Sequence, residues 1–250
     1  MINKLILTFN INIYYVVLYI NFFIRKKMAE LGSNKYNIAW FKLAEFVSRK
    51  EKERALGIYK LLVHSFQSEA LAYKLKGDIY LSFNDLSNCI DNYLKAADIY
   101  QLNNQFVEVA ALYEHLNLIV PNNIAYTIKI YKFYIKTQNT SKIKSSLHSL
   151  IQSIIFNKKL NDLDSLIYNE GFDINMKLVL YEYVIFYIIE KNHNFDNCFY
   201  KYIDSFIEIA YKNNKNILDK FCDKIMVLNL DIYDYLLTIL LKLNEQKSEN

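Results

Sequence analysis

Apolar residues recur along most of this chain at spacings of three and four, the signature of amphipathic helices. Trp40, Leu43, Ala44 and Val47 form one such stripe and predict a helix over about 37–49, capped by Asn34 or Asn37. Ala55, Leu56, Tyr59, Leu62 and Val63 predict a second helix over 52–65. Leu71, Leu75 and Ile79 predict a third over 68–82. Asn84 and Asp85 cap a fourth, with Cys89, Ile90, Tyr93, Ala96, Ala97 and Tyr100 along it. Asn103-Asn104 breaks the pattern, and Phe106, Val109, Ala110, Tyr113 and Leu116 carry a fifth helix over 104–119. Pro121 stops that helix, since proline cannot continue one, and the asparagines after it cap the next. Further helices are expected over 124–138, 140–157, 161–169, 174–191, 195–213, 216–227 and 230–245, with Thr140, Asn161, Asp173 and Asn216 as N-caps and a frayed tail from Glu245. Breaks this short make sequential helices antiparallel neighbours.

Composition supports the same class. Gly (4) and Pro (1) are scarce in 250 residues, whereas sheet proteins need turn residues at short intervals. At 53% hydrophobic the chain has ample material for a core. The expected fold is all-α. The abundant Tyr, Phe, Ile, Asn and Lys follow from an A/T-rich codon bias, so the aromatics are assigned to the core rather than to a base-stacking surface.

Between residues 37 and 137 the pattern resembles the tetratricopeptide (TPR) repeat. Trp40, Leu43 and Ala44, then Ala55 and Tyr59, match its first-helix and second-helix positions; Tyr73, Gly77 and Tyr80, then Cys89, Tyr93 and Ala96, match them again. Small residues at Ala44, Gly77, Cys89 and Ala96 let neighbouring helices approach closely. Lys76 departs from the family, which usually has Leu there. The phase stays open beyond Tyr93, because Tyr93, Ala97 and Tyr100 also fit the first helix of a repeat ending at Pro121. The stretch YLKAADIY at residues 93–100 is similar to vesicle-fusion adaptors of the SNAP type.

The resemblance implies antiparallel hairpins stacked as a TPR-like α-solenoid over residues 28–138, with 139–250 as degenerate repeats or a separate helical domain. It also implies a non-catalytic scaffold that binds a protein or peptide along the face made by the first helix of each repeat. The residues implied there are Phe41, Glu45 and Ser48, then Lys74, Asp78 and Leu81, then Glu108, Leu112 and His115. The family's basic clamp for chaperone C-termini is missing: Phe41 and Glu45 stand where Lys and Asn are expected, and Glu45 would repel a carboxylate.

Charge is concentrated at the start. The chain is +4, but residues 1–27 hold Lys4, Arg25, Lys26 and Lys27 and no acid. Removing those four from the 30 basic residues leaves 26, against 26 acids, so residues 28–250 are neutral overall and no nucleic-acid partner is expected. Leu5–Ile24 is twenty uncharged residues, long enough to span a bilayer, with basic residues following it that would hold the body in the cytoplasm. Two readings of this leader stand: a membrane anchor, which would make the chain a membrane-tethered assembly or secretion factor, or an upstream extension before a true start at Met28.

Catalytic signals are sparse. His64, His115, His148 and His193 are scattered, and the glycines form no phosphate loop. His193, Cys198 and Cys222 have no zinc-site spacing. Cys89 and His115 would make a nucleophile pair only if folding brought them together. An enzyme with a helical core is therefore the weakest reading. No cofactor, metal or small-molecule substrate is expected.

Overall fold

The computed structural model describes residues 34–66, 68–157, 163–191 and 195–248. The chain is all-α: the described residues form twelve α-helices and one 3-10 turn, with no strand. The helices are α1 (Asn34–Ser48), α2 (Lys52–Leu62), α3 (Glu69–Ser82), α4 (Leu86–Leu102), α5 (Phe106–Ile119) and α6 (Ile124–Lys136). They continue as α7 (Thr140–Phe156), α8 (Leu163–Asn169), α9 (Ile174–Glu190), α10 (Asn197–Asn213), α11 (Lys215–Leu228) and α12 (Leu230–Ser248). The chain divides into two compact units that meet within α7, at Leu150 and Ile151.

Side-chain caps start many of these helices. Asp85, Asn123, Asp173, Asp196, Asn214 and Asn229 each accept a hydrogen bond from the backbone N–H three residues on, at 2.8–3.3 Å. Each therefore satisfies a donor that the first turn leaves unpaired. The cap of α11 is Asn214 rather than Asn216, which lies inside the helix. Asn37 likewise lies inside α1, and α12 stays helical to Ser248, past the expected end at residue 245.

In the first unit four helix ends share one device. Lys50, Asn84, Asn104 and Gln138 have φ of 61°, 57°, 58° and 53°, the left-handed region. At each, the residue's own N–H bonds back three residues, and the next N–H bonds back five, as from Glu51 to Phe46 and from Asp85 to Tyr80. This is the Schellman turn usually built on glycine. In a chain so poor in glycine it is built on Asn, Lys and Gln. Lys50 and Asn84 are 34 residues apart, and so are Asn104 and Gln138.

Burial repeats with that period. Tyr59, Tyr93 and Thr127 are buried at intervals of 34, as are Leu62, Ala96 and Ile130. Leu75 with Val109 and Ile79 with Tyr113 do the same between α3 and α5. The closest-packed neighbours are α1 with α2, α3 with α4 and α5 with α6. Pro121-Asn122-Asn123 is therefore the turn inside the α5–α6 hairpin, as alternation from Trp40 requires. The core runs from Trp40, Leu43 and Val47 through Tyr59, Ile79 and Tyr93 to Tyr113, Leu116 and Tyr134. Lys50 Nζ reaches the Ser82 carbonyl at 2.8 Å and Lys52 pairs with Asp85 at 2.6 Å, tying the turn after α1 to the turn after α3.

The second unit has an aromatic core. Phe221 packs against Phe206 and Phe186 with ring centroids 4.1 and 5.5 Å away, and Phe199, Tyr202 and Ile203 line α10. α9, nearly all apolar in sequence, buries Leu178, Leu180, Tyr181, Val184, Ile185, Ile188 and Ile189. Among the described residues no helix is long and apolar enough to cross a membrane. The leader 1–27 lies outside the described residues.

Candidate interaction face

Gly77 decides how α3 meets α4. A Cβ there would lie 2.6 Å from Cε1 and 2.7 Å from Cδ1 of Tyr93, so only glycine lets the Tyr93 ring lie against the α3 backbone. That close approach carries the Tyr93 hydroxyl through the layer to α5. It meets Asp78 Oδ1 of α3 at 2.5 Å and His115 Nε2 of α5 at 3.2 Å, and the His115 ring stands edge-on to the Tyr93 ring. A carboxylate only accepts, so the tyrosine proton goes to Asp78 and the tyrosine oxygen accepts from His115 Nε2–H. Burial, then the charge of Asp78, pushes the Tyr93 phenol well above its ordinary value, which keeps it a donor. Burial also lowers the pKa of His115; the Asp78 carboxylate opposes that and the nearby Lys74 ammonium adds to it.

Folding thus brings Lys74, Asp78 and His115 of the expected face together, around a tyrosine from the other helix layer. Asp78 and Leu81 are each only 8% exposed and Leu112 2%, so these three support the face from beneath. Glu108 is exposed on α5. On α1, Phe41 is 60% exposed, Glu45 pairs with Arg49 at 2.7 Å, and Ser48 donates to the Glu45 carbonyl. Those three lie apart from the Tyr93 network.

The position 34 residues after Tyr93 is Thr127, and Thr127 lines a cavity. It holds about 260 Å³ and is lined by Glu114, Asn117 and Leu118 of α5, Thr127 and Ile130 of α6, and Ser145, Ser146 and Ser149 of α7. The Asn117 carboxamide oxygen is buried without a hydrogen-bond partner. Neither this cavity nor the role of Tyr93 was expected from the sequence.

No family model matches the chain, and no curated protein or solved structure matches it either. The site must therefore be interpreted from its own chemistry.

The Cys89 thiol lies near the Tyr93 hydroxyl, which also meets His115. Burial, reinforced by the charge of Asp78, pushes that thiol up to about 12, so it stays protonated at neutral pH. A nucleophilic cysteine needs the opposite shift. Cys198 and Cys222 are free thiols, and His193 lies outside the described residues. Among the described residues no three His, Cys, Asp or Glu side chains are grouped to hold a metal.

Proposed function

We propose that residues 34–150 form a TPR-like α-solenoid that binds a protein or peptide partner on the face of α1, α3, α5 and α7, without chemistry of its own. The observation that carries this reading is the 34-residue recurrence of both turns and burial. It gives every second helix an equivalent face, and equivalent faces side by side suit an extended ligand. The Tyr93 network favours binding over catalysis. Its hydroxyl and thiol are held protonated, and its histidine is fixed by a hydrogen bond rather than set against a nucleophile. The partly exposed Lys74 and exposed Glu108 offer charges of both signs to a ligand above that floor. The cytoplasm is the proposed location, in keeping with three free cysteines.

The test is affinity capture from the native host with the full chain, beside a variant carrying Phe41→Ala and Lys74→Glu. The expected result is one defined partner that the wild type retains and the variant loses. Equal capture by both would remove the face from consideration.

A second reading is favoured by one sequence feature, the uncharged stretch Leu5–Ile24. It makes the same scaffold a membrane-tethered assembly factor. Retention in the membrane fraction after salt and carbonate washing supports it, and a mature N-terminus at Met28 excludes it.

A further inference from the structure

One side of α12 is exposed and apolar. On its inner side Ile232 and Leu236 are buried, and two hydrogen bonds hold the helix to α10: Tyr235 donates to Asp204 Oδ1 at 2.9 Å, and Tyr211 donates to Asn244 Oδ1 at 2.7 Å. With about 100° between successive residues, Leu230, Leu237 and Leu241 fall within about 40° of one another, away from that inner side. Leu230 is 66% exposed and Leu241 62%. Val227 and Leu228, exposed at the end of α11, continue the surface across the Asn229 cap. A single exposed leucine is ordinary, but a row of them along one helix marks a contact.

The charges beside this row indicate its occupant. Asp231 and Asp234 stand near the start of α12 and Lys242 about two turns after Asp234, all three exposed on the same flank of the leucines. Such a flank complements a second copy of itself in one orientation. Two α12 helices laid parallel would set Asp234 against Asp234 and Lys242 against Lys242, and like charges across an interface repel. Laid antiparallel, they bring the acidic start of each helix to the lysine of the other.

We propose that this side of α12 is the interface of a homodimer, in which two copies pair antiparallel about a two-fold axis at Leu237. A two-fold interface uses the same patch on both copies. Leu237 then meets its own equivalent, and Lys242 of each copy falls between the levels of Asp231 and Asp234 of the other. Leu241 enters the hole framed by Leu230, Tyr233, Asp234 and Leu237 of the other copy, the knob-into-hole fit of paired helices. Glu245 falls level with Asn229, an uncharged residue. The interface belongs to the second unit and is separate from the face proposed for residues 34–150.

Sedimentation equilibrium of the full chain tests this. The mass should rise with concentration from 29.7 kDa toward twice that value. Leu241→Lys, at an exposed position, should weaken the dimer at least about tenfold while circular dichroism shows unchanged helix content. Asp234→Lys or Lys242→Asp alone should weaken it about fivefold, and the two together should recover most of the loss. Leu237→Cys should link two copies by a disulfide under mild oxidation. Leu230→Cys, which lies level with Asn244 of the other copy, should link no more than the wild type with its three thiols. A chain that stays monomeric at every concentration overturns the proposal and gives the row of leucines to a different partner. A dimer indifferent to Leu241→Lys, or linked as readily through Leu230→Cys as through Leu237→Cys, also overturns it.

Discussion

Two glycines in helices give opposite predictions for the same substitution. Gly57 lies exposed in α2, and a Cβ there meets nothing within 4 Å. Gly57→Ala should then show helix propensity alone and stabilise the first unit by about 1 kcal/mol. Gly77→Ala gains the same propensity, but its Cβ would sit 2.6 Å from a ring that cannot yield. Tyr93 is fully buried, and its hydroxyl is fixed between Asp78 and His115. Moving the ring costs about 1–3 kcal/mol in overpacking. Losing the hydrogen bond to Asp78 adds about 1–3 kcal/mol for the stranded partner. Against a gain of about 1 kcal/mol, the net is a destabilisation of roughly 1–5 kcal/mol. Urea titration read by Trp40 fluorescence measures this, because Trp40 is the chain's single tryptophan and belongs to the first unit's core. Midpoints should move in opposite directions at unchanged slope. In a Tyr93→Leu background, which frees the space, Gly77→Ala should turn stabilising. A neutral or stabilising Gly77→Ala in the wild type would refute the close approach of α3 to Tyr93, and with it the placement of the polar network.

Other expectations can be read by the same assay. Trp40 is 1% exposed and meets the Phe66 ring edge-on, with centroids 5.9 Å apart, so Trp40→Ala should cost about 3–5 kcal/mol; a near-neutral result would mean the first hairpin is packed differently. His115 has a folded pKa below its unfolded 6.5, so the unfolded chain binds more protons between the two values. Its share of stability is present above 6.5 and is lost as pH falls through the folded value. The urea midpoint should drop more steeply between pH 7.5 and 5.5 in the wild type than in His115→Gln, and parallel curves would contradict this. Gln138 is exposed in a left-handed turn that glycine adopts without strain. Gln138→Gly should stabilise by up to about 1 kcal/mol, whereas Gln138→Val should destabilise.

The helices were legible in the sequence because several expected breaks carry their own chemistry. Asn84, Asn104 and Asn122 occupy left-handed turns, and asparagine is among the few residues that tolerate them. Lys50 and Gln138 hold equivalent turns with no such local signal. What marks them is their distance from Asn84 and Asn104, a periodic clue rather than a chemical one. The phase of the repeat was not legible, because a motif of small and aromatic residues fits either helix of a hairpin. Packing of α5 on α6 decides it.

The candidate face was only half legible, for a physical reason. Projecting a helical wheel treats each helix as having one buried and one free side, which holds for Phe41 and Glu45 on α1. A helix inside a stack is covered by neighbours before and after it, so Asp78, Leu81 and Leu112 are drawn into the layer and only Lys74, Glu108 and His115 retain access. Tyr93 makes the same point from the opposite layer. Its ring passes Gly77 because a side chain is missing there, and its hydroxyl then joins residues 15 and 22 positions away in the chain. In one hairpin the floor residue is large and consumes the polar groups around it. The place of this network is thus set by one residue, Tyr93, on the helix layer that does not itself form the candidate face.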